Sequence, residues 1–199
     1  YQNRPQFLRN GGPAEFRFVD KSGLVKLRWQ ESCAVAAAAD IDNDGRTDFL
    51  LTTVYPGDKS VVHRNEGGWK FTDVTAETGV AAEQTYQASF GDIDGDGFVD
   101  LVCGGKVWIN QLGRGEGTKA RQFLKVRLEG AASCNRSAIG SRVVVKAGER
   151  VFARQVEAGT GSGSQNDLML QFGLGEVKGD VEVAVHWAGG GTSKQNAKT

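Results

Sequence analysis

Apolar residues come in short clusters, and turn residues separate them throughout the chain. Residues 49–54, Phe-Leu-Leu-Thr-Thr-Val, and residues 101–103, Leu-Val-Cys, read as strands that leave aspartate-rich turns. Residues 34–39, Ala-Val-Ala-Ala-Ala-Ala, would suit a helix by propensity, but the run is too short for one. The corresponding later segment, Ala88-Ser89-Phe90-Gly91, is no helix former either, so both are predicted as strands. From Phe123 apolar and basic residues alternate up to Leu128, the period of a half-buried strand. Further strands are predicted over 141–146, 151–156, 168–172 and 181–187, with turn residues between them at the spacing of a β-sandwich. The polar residues 189–199 are expected to fray.

The first 110 residues repeat themselves. One copy runs from Leu8-Arg9-Asn10-Gly11-Gly12 through Phe18-Val19-Asp20 and Gly23-Leu24 to an acidic loop beginning at Asp40. The next runs from His63-Arg64-Asn65-Glu66-Gly67 through Phe71-Thr72-Asp73 and Gly79-Val80 to a second loop beginning at Asp92. A third copy starts at Val107-Trp108-Ile109-Asn110 and stops. Residues 111–120, rich in glycine and charge, are expected to link the two halves. They lack the Gly-Lys-Ser/Thr ending of a phosphate loop.

Both acidic loops place aspartate at positions 1, 3, 5 and 9 and glycine at position 6. Alternate side chains converge when the backbone wraps around one point, short carboxylates reach inward without crowding, and glycine permits the sharp turn. The expected ligands are Asp40, Asp42, Asp44 and Asp48 with the carbonyl of Arg46, and Asp92, Asp94, Asp96 and Asp100 with the carbonyl of Phe98. Hard oxygen donors in this number select Ca2+ over zinc or copper, so two calcium sites are expected. Four clustered carboxylates also repel one another unless a cation sits among them. Position 12 of an EF-hand loop is Glu; here it is Leu51 or Cys103, and the flanks read as strands.

The loops and their flanks resemble FG-GAP/VCBS-type repeats, the calcium-loop blades of integrin-like β-propellers. The resemblance implies one loop per blade and carries the eight aspartates residue by residue. The later half resembles the ASPIC/UnbV domain through Asn135-Arg136-Ser137-Ala138-Ile139-Gly140-Ser141-Arg142-Val143, Gly159-Thr160-Gly161-Ser162-Gly163-Ser164-Gln165, Phe172-Gly173-Leu174-Gly175 and Val185-His186-Trp187. It departs from that family's pattern at Ser137, after Gly163 and at Ala188-Gly189-Gly190. The order of the two parts resembles the C-terminal part of cartilage acidic protein 1-like chains. The expected fold is all-β: about two propeller-like blades over residues 1–112, then a β-sandwich-like domain over 121–199.

Charge and the remaining chemistry narrow the function. Lys+Arg and Asp+Glu balance at 24 each, which offers no electrostatic footprint for nucleic acid. No apolar run is long enough to span a membrane. Cys33, Cys103 and Cys134 form neither a disulfide framework nor a zinc pattern. The two histidines, His63 and His186, lie in different halves, and no nucleophile–base set is suggested, so no enzymatic activity is expected. Asn135-Arg136-Ser137 is also a glycosylation sequon. The leading expectation is a calcium-binding adhesion or recognition module, secreted, periplasmic or in an organelle lumen. A protein partner or larger assembly is expected, because two blades leave strand edges open. The alternatives are a structural or accessory subunit of such an assembly, and a carbohydrate-binding module that would use Trp29, Trp69, Trp108 or Trp187 to stack on sugars.

Overall fold

The structure, a computed structural model, describes residues 5–28, 32–112, 121–131 and 133–198. The fold is all-β. Most of the expected linker, residues 113–120, lies outside the described residues, as does Trp29.

In the first half, β1 (Leu8–Asn10) pairs with β2 (Phe18–Asp20), and a single helical turn, α1 (Ser22–Val25), follows. β3 (Cys33–Ala39), β4 (Asp48–Thr53), β5 (Val61–Gly67) and β6 (Lys70–Asp73) form an antiparallel meander. After the turn α2 (Thr75–Thr78), β7 (Ala88–Gly91), β8 (Asp100–Cys103) and β9 (Lys106–Trp108) form a second, shorter meander. Each sheet therefore straddles a boundary of the sequence repeat. β3 and β4 flank one acidic loop, and the next copy supplies β5 and β6; the truncated third copy supplies β9 and so completes the second sheet. Asp20 and Asp73 accept the backbone N–H of Ser22 and Thr75 at 2.8 and 3.0 Å, the turn-capping role that suits an aspartate two residues upstream. Ala37, Leu50, Val62, Val74, Val80, Phe90 and Leu101 pack between the two sheets.

The second half is built from β10 (Gln122–Val126), β11 (Arg142–Ala147), β12 (Arg150–Gln155), β13 (Leu170–Gly175), β14 (Asp180–His186) and β15 (Thr192–Lys198). A four-stranded sheet in the order β12-β11-β14-β15 faces the two-stranded ribbon β10-β13 across a core of Val143, Val145, Phe152, Phe172, Leu174, Val181 and Val183. The expectation that residues 189–199 fray is corrected here. β15 pairs with β14 from Asp180↔Lys198 to His186↔Thr192. Its side chains are polar because they face solvent, while the backbone ladder, to which composition is blind, holds the strand.

His63 is buried and stacks on Phe49 with 5.0 Å between ring centroids, and desolvation lowers its pKa below the ordinary imidazole value. His186 is exposed and meets the Thr192 hydroxyl. The three cysteines are free thiols. Asn135 of the sequon binds the backbone of Ile139 through both ends of its amide, at 2.9 Å each, while Arg136 is solvated. No helix among the described residues is long and apolar enough to cross a membrane.

Candidate metal centres

The two acidic loops share most of their hydrogen bonds, differing at position-1 Oδ1, which accepts from Asp44 in the first and from Gly95 in the second. At position 1, Asp40 Oδ2 accepts the N–H of Gly45 at 2.9 Å, and Asp92 Oδ2 accepts that of Gly97 at 2.9 Å. At position 5, Asp44 Oδ1 accepts from Arg46 N and Asp96 Oδ1 from Phe98 N. Position 9 spends both carboxylate oxygens on backbone. Asp48 accepts from Ile41 and Asn65 at 3.0 and 2.7 Å, and Asp100 from Ile93 and Asn110 at 2.8 and 2.7 Å. Two backbone positions take the left-handed conformation in both loops: Asn43 and Gly45 in the first, Gly95 and Gly97 in the second. Position 4 must therefore be a residue that tolerates positive φ, which asparagine and glycine both do.

Carboxylate oxygens of Asp40, Asp42 and Asp44 lie within 4.8 Å of one another, and so do those of Asp92, Asp94 and Asp100. Asp48 stands beside the first triad, spent on the backbone bonds just described. Asp96 flanks the second. The carbonyl-bearing residues Arg46 and Phe98 occupy position 7 of each turn, and their N–H groups tie down position 5. Burial, reinforced by the charges of Asp44 and Asp42, pushes Asp40 up to about 6. Burial likewise pushes Asp48 up to about 7, with Asp42 and Asp40 adding to it. Such carboxylates favour ionisation only beside a compensating cation.

The donor set fits a hard metal ion, since every side chain aimed into the triads is a carboxylate. Protein cations already stand at the rim. Arg46 pairs with Asp44, Arg121 Nη1 lies 2.7 Å from Asp42 Oδ2, and Lys125 pairs with Asp92. Asp44 Oδ2 is buried against the Arg46 guanidinium. The two clusters can hold a metal ion each.

Two asparagines that sequence reasoning left without a role complete the loops. Asn65 donates its side-chain amide to Thr47 O, and Asn110 to Val99 O, both at position 8, while their backbone N–H groups hold position 9. Their recurrence in the repeat, as Arg64-Asn65 and Ile109-Asn110, was the available signal. The seat of the loops was also hidden. The face of the ribbon turned from the core, carrying Phe123, Lys125, Gln171, Gly173 and Gly175, lies on them. Gln171 donates to Asn43 Oδ1 at 3.0 Å and to Gly97 O at 2.6 Å, touching both loops. Arg150 donates to Asp44 O at 2.8 Å, and Gly175 N to Asn43 O at 2.9 Å.

Comparison with known families agrees with this architecture. Residues 40–103 match the FG-GAP-like repeat, and residues 131–198 match the ASPIC and UnbV family. No curated protein matches the chain. The chain thus carries an FG-GAP-like repeat region with an acidic loop at each of its two turns, followed by an ASPIC and UnbV domain.

Proposed function

We propose that the chain is a non-enzymatic recognition module whose two acidic loops each bind Ca2+, and that it works outside the cell, in a periplasm or in an organelle lumen. The observation that carries the reading is the duplicated loop: the same aspartate spacing, the same backbone bonds to positions 3, 5 and 9 and the same positive-φ positions occur twice. Asp40, Asp42, Asp44, Asp48 and the Arg46 carbonyl would hold one ion, and Asp92, Asp94, Asp96, Asp100 and the Phe98 carbonyl the other. The ion would supply charge compensation and cross-link the turn; the chain's own residues shape and orient it. No catalytic role is assigned, because the carboxylates are committed to the loops and the two histidines stand apart, one buried and one exposed.

Among the described residues no further strand pairs with the outer edges of β6 and β9, which favours a protein partner or a place in a larger assembly, since unpaired strand edges invite pairing. The carbohydrate reading draws less support. Trp69 packs against Phe7 among the first-half aromatics, Trp108 against the first-half core and Trp187 against the second-half core, so these three share no sugar-stacking platform.

Calcium binding should depend on pH with a definite sign. Asp40 and Asp48 hold protons up to about 6 and about 7 in the metal-free fold. Calcium must displace those protons, so first-loop affinity should rise from pH 5.5 to 7.5 and proton release should accompany binding near pH 6.5. Titration calorimetry in two buffers of different ionisation enthalpy reads that release directly. Affinity that is constant across this window, with no proton release, would argue against calcium at the first loop.

A further inference from the structure

One face of the ribbon β10-β13 treats the two loops differently. Opposite the first loop it presents glycine. A Cβ on Gly173 would lie 2.2 Å from Asp40 Oδ2 and 2.4 Å from Asn43 Cα, so the strand backbone lies directly against the position-1 carboxylate. Opposite the second loop it presents Lys125, whose ammonium pairs with Asp92, the equivalent position-1 carboxylate. The Asp92 side chain is only 2% exposed, and the Lys125 side chain 27%. Lys125 is cross-strand partner of Gln171, which is itself anchored on Asn43 and Gly97, so the ammonium is delivered from a fixed strand. Among the described residues Asp40 makes no ion pair. Lys125 also lies outside both matched family segments.

We infer that Lys125 is a tethered counter-cation that competes with calcium for the second loop. It lets the second half of the chain set that loop's affinity. The inference rests on the calcium reading above. An ion entering the Asp92–Asp94–Asp100 cluster must take Asp92 Oδ2 from the ammonium, whereas in the first loop the protein cations Arg121 and Arg46 stand on Asp42 and Asp44 and not on the position-1 carboxylate. Filling the second loop therefore frees Lys125. Like charges at one carboxylate exclude one another, and the penalty falls on whichever cation is not tethered.

The test is calcium titration of the full chain carrying Asp40→Asn, which leaves the second loop to be read alone, with and without Lys125→Met. Methionine keeps the length and apolar stem of lysine and removes the charge. Tightening of about tenfold or more is expected, as fits loss of a partly buried competing charge. Lys125→Arg should leave affinity low, which separates charge from packing. In an Asp92→Asn background, Lys125→Met should leave first-loop affinity unchanged. Unchanged or weaker second-loop binding in Lys125→Met, with near-ultraviolet circular dichroism unaltered, would overturn the inference while leaving the calcium reading intact. If the unsubstituted chain takes up no calcium, both fall.

Discussion

Gly173→Val is expected to loosen the whole molecule, not just one turn. The added side chain would drive into Asp40 and Asn43 on one side, with Phe172 and Leu174 of the same strand fixed in the core on the other. The loop and the ribbon would have to part, at a cost of about 1–3 kcal/mol typical of overpacking, and the bonds from Gln171 and Gly175 to Asn43 would be strained with them. Gly23→Ala is the control, because nothing lies near its Cβ and its backbone is not left-handed. Chemical denaturation should show a lowered midpoint for Gly173→Val and little change for Gly23→Ala. Equal midpoints for the two would contradict the packing of the second half on the loops.

The second large effect separates aspartates that share one metal cluster. Asp94 is exposed, whereas Asp100 is 1% exposed and accepts the N–H groups of Ile93 and Asn110. Both substitutions to alanine should weaken calcium binding. Only Asp100→Ala should also destabilise the chain markedly in chelator, because it leaves two part-buried backbone donors without their acceptor, a loss of about 1–3 kcal/mol. Asp94→Ala should leave the metal-free chain close to its original stability, since the N–H of Asp96 that its carboxylate accepts at 3.1 Å is exposed to water and the change also removes one of several mutually repelling carboxylates. Denaturation midpoints in chelator decide the matter. An Asp94→Ala chain as damaged as Asp100→Ala would mean that the two carboxylates do the same work.

Much of this was legible in the residues. The alternation at Phe123–Leu128 gave β10, whose Leu124 and Val126 do enter the core while Lys125 points elsewhere. The repeat gave the positions of both acidic loops and of the capping Asp20 and Asp73. What escaped were relations between distant segments. Nothing in the spacing of Phe172-Gly173-Leu174-Gly175 says that its glycines rest on a loop some 130 residues earlier. A glycine kept free for another backbone's approach looks the same in sequence as one kept for a turn. Position 9 was legible as a carboxylate, but its spending on two backbone donors depends on where Asn65 and Asn110 arrive in space. The tail was misread because edge-strand side chains facing water carry no apolar signature.

The central claim is that this chain binds two calcium ions through its two acidic loops. Its most direct test is calorimetric titration of the metal-free protein with calcium, in parallel with Asp40→Ala, Asp92→Ala, Asp20→Ala and Asp73→Ala. All four positions are repeated acids, yet only Asp40 and Asp92 sit in the carboxylate clusters. The expected result is two ions for the unsubstituted chain, for Asp20→Ala and for Asp73→Ala, and one ion for each of Asp40→Ala and Asp92→Ala. No heat of binding in the unsubstituted chain, or loss of a site in Asp73→Ala with both kept in Asp92→Ala, would contradict it.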